Sequence, residues 1–294
     1  MSEPPSPFRC VLDARASLGE GPVWSLVERV LYWIDINAPS LNRFDPVSAR
    51  NTVMNLPESI GCFALCRSGG FIAALRSGIW RLDRNGAKQA KIADAPYDPA
   101  THRYNDGRCD PQGRFWAGSM NEARKGATAS LTRLGYDAKL THMVQGVTIS
   151  NGLAWSPDGR TMYHADTPTQ TVHAYDFDPG SGSISSRRVL VEFKAPDDRP
   201  DGATVDSEGC YWVALYNAGA VVRIAPDGRV VSRHALPAKC PTMCAFGGDD
   251  LTTLYVTTAR QKLSEHELQR HPCSGGLFAM QVDVPGLPEP FFAG

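Results

Sequence analysis

The segment NGLAWSPDGRTMYHAD, residues 151–166, decides the fold, because its pattern recurs in a distant part of the chain. The segment EGPVWSLVERVLYWID, residues 20–35, carries the same residue types in the same register. Identical pairs include Trp155 and Trp24, Ser156 and Ser25, Tyr163 and Tyr32, and Asp166 and Asp35. Each copy reads as a strand, a tight turn and a second strand rich in aromatic and β-branched residues. The chain therefore contains an internal repeat of β-structure.

Four further copies of the pattern follow, and most of them carry a turn glycine eight residues after the first position. They are GCFALCRSGGFIAAL from Gly61, NDGRCDPQGRFWAG from Asn105, DGATVDSEGCYWVAL from Asp201 and a degenerate TMCAFGGDDLTTLYVTTA from Thr242. The six repeat starts are spaced by 41, 44, 46, 50 and 41 residues. This period is typical of propeller blades, so the sequence predicts an all-β fold, a six-bladed β-propeller with about four strands in each blade. The shared offsets disfavour the alternative, an all-β chain whose strands do not close into a ring.

The predicted propeller occupies residues 1–294 as a single domain, with residues 1–9 as a loose N-terminal tail. The last repeat has few strands before the chain ends. The segment CVLDARAS, residues 10–17, is therefore expected to supply the missing strand, which would close the ring and remove an exposed sheet edge. Only residues 261–271 are expected to hold a short helix.

The bulk composition excludes several classes of partner. The net charge of −1 gives no reason to expect nucleic acid or an anionic membrane surface as a partner. Neither a signal peptide nor a transmembrane stretch is present, so a cytoplasmic protein, monomeric or a small homo-oligomer, is expected. The eight cysteines are expected to be reduced thiols. The pairs Cys62/Cys66 and Cys240/Cys244 fit buried small hydrophobic residues better than ligands of a soft metal.

The repeat also places polar residues on one ring, because equivalent positions of propeller blades lie at the same height around the axis. The repeat starts, expected just before the innermost strands, are Glu20, Gly61, Asn105, Asn151, Asp201 and Thr242. Two carboxylates that converge on an axis repel each other and need a cation. Oxygen ligands suit Ca²⁺, Mg²⁺ or Mn²⁺ and tolerate Zn²⁺ or Fe²⁺. The ring therefore predicts one divalent metal ion, although Glu20, Asn151 and Asp201 taken singly also fit ordinary loops and turns.

Four strings in this order resemble a known family. They are LGEGPVW (18–24), RYNDGRCDPQGRFWAGSM (103–120), ISNGLAWSPDGRTMYHADT (149–167) and RPDGATVDSEGCYWVAL (199–215). They resemble the gluconolactonase, regucalcin and luciferin-regenerating-enzyme family, also called the SMP-30 family. FGGDDLTTLYVTTAR (246–260) and GGLFAM (275–280) look most like the bacterial sugar lactonases, including xylonolactonases and arabinolactonases.

The resemblance implies a six-bladed propeller and assigns roles to particular residues. It implies that Glu20, Asn151 and Asp201 are the metal ligands, and that Arg103 and Asn105 bind substrate. Some members use an acidic residue in the region of GSMNEARKG (118–126), where Glu122 is the nearest acid and Ala123 is the alternative at the aligned position.

The function expected from these residues is the metal-dependent hydrolysis of a sugar lactone, such as xylono-, arabino-, galactono- or gluconolactone, to the sugar acid. Asp201 is the candidate to accept the proton of the attacking water, and Arg103 and Asn105 would orient the sugar or stabilise the oxyanion. Asp106 is expected to fix its loop rather than take part in the chemistry. Two alternatives remain open: a metal-dependent esterase or organophosphatase on the same scaffold, and a calcium-binding propeller without turnover.

Overall fold

The computed structural model describes residues 6–294, and these residues fold into six four-stranded sheets. The first half of the chain contributes β1 Arg9–Leu12, β2 Gly19–Ser25, β3 Val30–Asp35, β4 Ser40–Asp45, β5 Arg50–Asn55, β6 Ile60–Leu65, β7 Phe71–Leu75, β8 Gly78–Leu82, β9 Lys88–Asp94, β10 His102–Cys109, β11 Phe115–Asn121, β12 Ala129–Leu134 and β13 Leu140–Val147. The second half contributes β14 Ser150–Trp155, β15 Thr161–Asp166, β16 Thr171–Asp178, β17 Ser183–Glu192, β18 Asp198–Val205, β19 Tyr211–Asn217, β20 Ala220–Ile224, β21 Val230–Ala235, β22 Pro241–Gly247, β23 Thr253–Thr258 and β24 Leu277–Gln281.

The sheets are the blades of a six-bladed β-propeller, as the repeat predicts. Blades 1 to 5 are β2–β5, β6–β9, β10–β13, β14–β17 and β18–β21, and blade 6 contains β22, β23, β24 and β1. The first strands of neighbouring blades contact one another in a closed circle, β2 to β6, β10, β14, β18, β22 and back to β2. These inner strands are largely buried, whereas the outer strands β5, β13, β17 and β21 are mostly exposed or half-buried. The radial order of each blade therefore follows the hydrophobicity of its strands.

An aspartate of the repeat holds the segment that leads into the inner strand in blades 1 and 4. Asp35 accepts hydrogen bonds from the backbone N–H groups of Ser17 and Leu18, at 2.8 and 3.1 Å. Asp166 accepts from the N–H groups of Thr148 and Ile149 at 3.1 and 2.9 Å. Both aspartates stand at the end of the second strand of their blade. The same bond in blades 1 and 4 explains why the sixteenth position of the repeat is Asp in both copies.

The N-terminal segment closes the ring. β1 pairs antiparallel with β24, with Arg9 opposite Ala279 and Cys10 opposite Phe278. This pairing confirms the closure expected from residues 10–17, although the strand ends at Leu12. The loose tail was expected to extend to residue 9, but the ordered structure begins earlier. Phe8 is buried against blade 6, and Arg9 already belongs to β1. Residues 1–5 of that tail lie outside the described residues.

Each inner strand contains an irregularity at the repeat start. The register with the second strand shifts between Glu20 and Val23, Ile60 and Cys62, Tyr104 and Gly107, Asn151 and Ala154, Pro200 and Ala203, and Pro241 and Met243. A β-bulge of this kind redirects the side chain beside it. The repeat starts therefore lie inside the inner strands at a bulge, and not before the strands as the sequence suggested.

The remaining sequence expectations concern one helix and the cysteines. The helix α1 spans Glu265–Arg270, within the expected residues 261–271, and begins with a capping box between Ser264 and Glu267. All eight cysteines are free thiols. Within the described range, no helix has the length and apolar character that crossing a membrane requires.

We predict that Phe8→Ala lowers the free energy of unfolding by about 3 kcal/mol, because it removes a buried aromatic side chain from the closing segment. Urea unfolding followed by tryptophan fluorescence measures the change. Val47→Ala is the control, since Val47 is 93% exposed and its truncation should leave stability unchanged. Equal stabilities for the Phe8 variant and wild type would show that the segment does not contribute to closure.

Candidate active site on the propeller axis

A cavity of about 290 Å³ opens at one end of the central channel. Five of the six residues predicted for the site line it, namely Glu20, Arg103, Asn105, Asn151 and Asp201. They come from the inner strands of blades 1, 3, 4 and 5. The ring of bulged inner strands therefore brings together side chains that are up to 181 positions apart in the sequence.

The two other repeat starts serve packing. A side chain on Gly61 would place its Cβ 2.4 Å from the carbonyl carbon of Tyr104, so only glycine permits the approach of blades 2 and 3. Thr242 is fully buried, and its hydroxyl donates to the carbonyl of Gly19 at 2.5 Å, which links blades 6 and 1. The ring positions of blades 2 and 6 thus contribute no side chain to the cavity.

Glu20 and Asp201 place two carboxylates in the cavity with little compensation. Both are buried, and burial raises the pKa of Glu20 to about 8 and raises that of Asp201 well above its usual range. The negative charge of Glu20 raises the pKa of Asp201 further. Among residues 6–294, the side chain of Glu20 accepts only from the N–H of Gly21, at 3.2 Å, and no hydrogen bond reaches the side chain of Asp201. The protein thus holds two carboxyl groups at this point with few hydrogen-bond donors to stabilise their charged forms.

A chain of hydrogen bonds fixes the neutral residues of the site. The guanidinium of Arg103 donates to Oδ1 of Asn105 at 2.8 Å, and Nδ2 of Asn105 donates to Oδ1 of Asn151 at 2.8 Å. Asn151 in turn donates to the hydroxyl of Thr167 at 2.7 Å, and that hydroxyl donates to the carbonyl of Pro200 at 2.7 Å. The chain crosses blades 3, 4 and 5, so it fixes the position of these side chains relative to Asp201.

With Arg199, Arg103 is one of two cations that the inner strands bring into the described cavity lining. Its Nη1 donates to Asn105 and to the carbonyl of Tyr104, both at 2.8 Å. Desolvation lowers the pKa of Arg103 to about 10, so it stays protonated at neutral pH. Its other nitrogens have no protein acceptor within residues 6–294 and are free to donate to a ligand.

The residues that the family resemblance implies as metal ligands fit a divalent cation. Glu20, Asn151 and Asp201 offer two carboxylates and one amide oxygen, and a cation would offset the repulsion that burial imposes on the carboxylates. Nowhere in the described chain do three or more His, Cys, Asp or Glu side chains cluster closely enough to hold a metal ion by themselves. The amide of Asn151 is therefore needed to complete the set.

Asp106 has a structural hydrogen-bonding role, as the sequence suggested, but it lies in strand β10 and joins two strands, so the expectation that it fixes a loop is wrong. Its Oδ2 accepts from the backbone N–H of Leu153 at 3.0 Å, which joins the inner strands of blades 3 and 4. It is buried but does not line the cavity. Its charge still reaches the site, because it raises the pKa of both Glu20 and Asp201.

Glu122 is the predicted site residue that does not line the cavity. Its carboxylate forms two hydrogen bonds with the guanidinium of Arg76, both 2.9 Å long, at the partly exposed rim of blades 2 and 3. Ala123, the alternative at that position, does not line the cavity either. The residue of this loop that does line the cavity is Arg124.

Sequence reasoning did not single out four further lining residues, Arg124, Thr167, Arg199 and Tyr216. Thr167 and Arg199 stand at the ends of the family strings 149–167 and 199–215, so the strings themselves held the signal. Arg124 lies in a loop with no repeat counterpart, and only coordinates could place it.

Comparisons with known proteins find relatives over nearly the whole chain. A sequence model described as SMP-30/Gluconolactonase/LRE-like region matches residues 18–260. The 6-deoxy-6-sulfogluconolactonase of Pseudomonas putida is 46% identical, over 98% of this chain and 99% of its own. Regucalcin of Xenopus laevis is 35% identical, over 98% of both chains. Among solved structures, the calcium-binding protein regucalcin of Agrobacterium tumefaciens gives a TM-score of 0.93 at 28% identity and covers 97% of each chain.

We predict that Asp201→Asn raises the melting temperature by a few degrees at pH 8 in the presence of a chelator. The raised pKa of Asp201 means that its charged form opposes folding as the pH rises, and the amide removes that charge at nearly constant shape. About 1 kcal/mol moves the Tm of a protein of this size by roughly 2 °C. Added millimolar Ca²⁺ or Mn²⁺ should stabilise wild type more than the variant.

A matched control is Asp110→Asn. Asp110 is also fully buried, but it accepts from Nε of Arg114 at 2.6 Å and from Nε1 of Trp116 at 3.0 Å. Removal of that charge should destabilise the protein by about 3 kcal/mol. If Asp201→Asn destabilises the chelated protein as Asp110→Asn does, the axial carboxylates are not in mutual repulsion.

Proposed function

The chain belongs to the SMP-30/gluconolactonase/LRE-like family, and on that premise we propose that it is a hydrolase that opens a sugar lactone at the axial cavity. The observation that carries the proposal is the convergence of Glu20, Asn151 and Asp201 with Arg103 and Asn105 on one cavity. The 46% identical relative is named for a sulfonated gluconolactone. Aldonolactones, including substituted ones, are therefore the substrates that we propose.

Glu20, Asn151 and Asp201 would hold one divalent metal ion. When bound, such an ion polarises a carbonyl oxygen and makes a nearby water more acidic. The relatives include regucalcins, one of which is described as a calcium-binding protein. Calcium is therefore the first cation to test, followed by Mn²⁺, Zn²⁺, Mg²⁺ and Fe²⁺.

The protein residues supply the proton transfer and the orientation. A carboxylate oxygen of Asp201 accepts the proton of the water that attacks the lactone carbonyl carbon. The bond between that carbon and the ring oxygen then breaks, and Asp201 returns the proton to the ring oxygen, which becomes a hydroxyl group. The free guanidinium nitrogens of Arg103 donate to the oxygen that gains negative charge, because Asn105 holds Nη1 in place. The product is a sugar acid, which releases a proton at neutral pH.

A second candidate is a calcium-binding propeller without turnover, which the description of the Agrobacterium tumefaciens structure favours. Such a protein needs the carboxylates but has no use for a free guanidinium beside them. Arg103 lines the same cavity as Glu20 and Asp201, and this arrangement favours the enzyme.

We predict that wild type releases protons from at least one of xylono-, arabino-, galactono- and gluconolactone in a weakly buffered indicator assay. Chelation should remove the activity and added metal should restore it. Asp201→Ala and Glu20→Ala should each lower kcat/KM by about a hundredfold or more. Asp94→Asn is the control, because the side chain of Asp94 is 88% exposed on an outer strand.

Circular dichroism of the same variants checks that the propeller remains folded. Full activity in either alanine variant, or after thorough chelation, contradicts the mechanism. A phosphotriester and an aryl ester in the same assay test the esterase alternative, which would be supported if only these were hydrolysed.

We further propose that Glu122 acts as an anchor of the loop that carries Arg124, and not as a substrate contact. Arg76→Ala and Glu122→Ala should then raise KM by a similar factor of a few, and the double variant should add little, because both remove the same ion pair. Direct contact between Glu122 and substrate predicts a different result, in which Arg76→Ala leaves KM unchanged.

A further inference from the structure

Positive charge dominates the mouth of the axial cavity. The acidic residues of its lining are Glu20 and Asp201, whereas the basic ones are Arg103, Arg124 and Arg199. Lys262 directly follows Gln261, which also lines the cavity. A divalent cation at the base would use the two carboxylates, so the basic residues would remain as surplus positive charge.

Arg124 and Lys262 belong to segments on opposite sides of the ring. Arg124 lies in the connection between β11 and β12 of blade 3, and Lys262 follows β23 of blade 6. In the circle of inner strands, blades 3 and 6 are three positions apart and therefore face each other across the axis. The charge of Arg124 nevertheless lowers the pKa of the Lys262 amine. Arg124 lines the cavity from blade 3 and Gln261, directly before Lys262, lines it from blade 6, so both cations belong to segments at the same mouth.

These cations lack the acidic partners that neighbouring basic residues have. Arg76, Arg233 and Lys239 pair with Glu122, Asp198 and Glu267 respectively. Within residues 6–294, Arg124, Arg199 and Lys262 form no ion pair, and the side chain of Arg199 donates only to the carbonyl of Pro196, at 3.4 Å. The molecule therefore presents unneutralised charge at the mouth of its site.

The backbone holds two of these cations in fixed positions. The turn that carries Arg124 is fixed by its N–H bond to the carbonyl of Asn121, at 2.9 Å, next to the Glu122–Arg76 ion pair. Gln261, before Lys262, donates its N–H to the carbonyl of Ser17 at 2.9 Å. Arg124 and Lys262 both have left-handed backbones, with φ of 53° and 63°. The backbone hydrogen bonds of Arg124 and Gln261 therefore order the two segments that carry these cations beside the cavity.

We propose that Arg124 and Lys262 form a subsite for an anionic substituent, a sulfonate or phosphate group, carried by the sugar at the end remote from the lactone carbonyl. Guanidinium groups bind such oxygens with two parallel hydrogen bonds, and the Lys262 ammonium adds a third donor. This inference rests on the proposed lactonase function, because it assigns the base of the cavity to the lactone carbonyl. Arg199, on the rim, adds to the attraction of the anion.

The test compares gluconolactone with 6-phosphogluconolactone and 6-deoxy-6-sulfogluconolactone as substrates of the metal-loaded protein. Wild type should prefer at least one charged lactone by tenfold or more in kcat/KM, and the preference should fall with added salt. Arg124→Gln and Lys262→Gln should each lower the preference by about tenfold to a hundredfold, as expected for a lost charge-assisted hydrogen bond. Arg50→Gln, on the outer strand β5, is the control and should leave the preference unchanged.

Calorimetry with the ring-opened acids provides a readout that does not need turnover. The phosphorylated or sulfonated gluconate should bind more tightly than gluconate, and Arg124→Gln should abolish the difference. If lactones are hydrolysed without a preference for charge, or if Arg124→Gln lowers kcat/KM equally for all substrates, the proposed subsite is wrong and the lactonase function stands. If no lactone is hydrolysed but the charged acids bind through Arg124, the subsite stands and the proposed function fails. The relative affinities of the two charged acids distinguish sulfonate from phosphate.

Discussion

The circular packing of six inner strands constrains everything else in this structure. Each inner strand must approach two neighbours closely, and this leaves room for glycine at Gly61 but not for a larger residue. The bulge at each repeat start turns one side chain out of the regular alternation at that point. Because six such points lie on one circle, a few substitutions at equivalent positions are enough to build a polar site inside an otherwise apolar core.

The buried carboxylates of the axial cavity lower the stability of the fold when they are charged. Glu20 and Asp201 are buried where their charges oppose folding, and other buried aspartates show that the same chain can satisfy a carboxylate fully. Asp206, for example, accepts from Nε1 of Trp212 and from Nε of Arg223, both at 2.8 Å. The contrast between satisfied and unsatisfied carboxylates separates the residues that hold the blades together from the residues that line the axial cavity.

The repeat in the sequence predicts the positions that recur in every blade, but it carries no information about the loops between the strands. The blade number, the closing strand and the shared cavity of Glu20, Asn151 and Asp201 follow from register, because register is a geometric quantity in a ring. The position of Glu122 does not follow from register, because its loop has no equivalent in other blades. Its carboxylate forms an ion pair with Arg76, a residue of blade 2. The presence of Arg124 in the cavity lining was not predicted, for the same reason. Loops over the mouth are set by tertiary contacts, which a periodic pattern does not contain.

The pairing of β1 with β24 has a consequence for how the propeller folds during its synthesis on the ribosome. β1 precedes every other strand of the propeller but finds its partner only after residue 281 has left the exit tunnel, so the circle stays open until the other blades have been synthesised. During that time the edge of β1 and the inner face of each finished blade lack their final neighbours. Blades 1 to 5 are each formed from contiguous chain and can pair their strands as they emerge. The axial cavity, whose predicted site residues come from blades 1, 3, 4 and 5, cannot exist until the last blade joins the first.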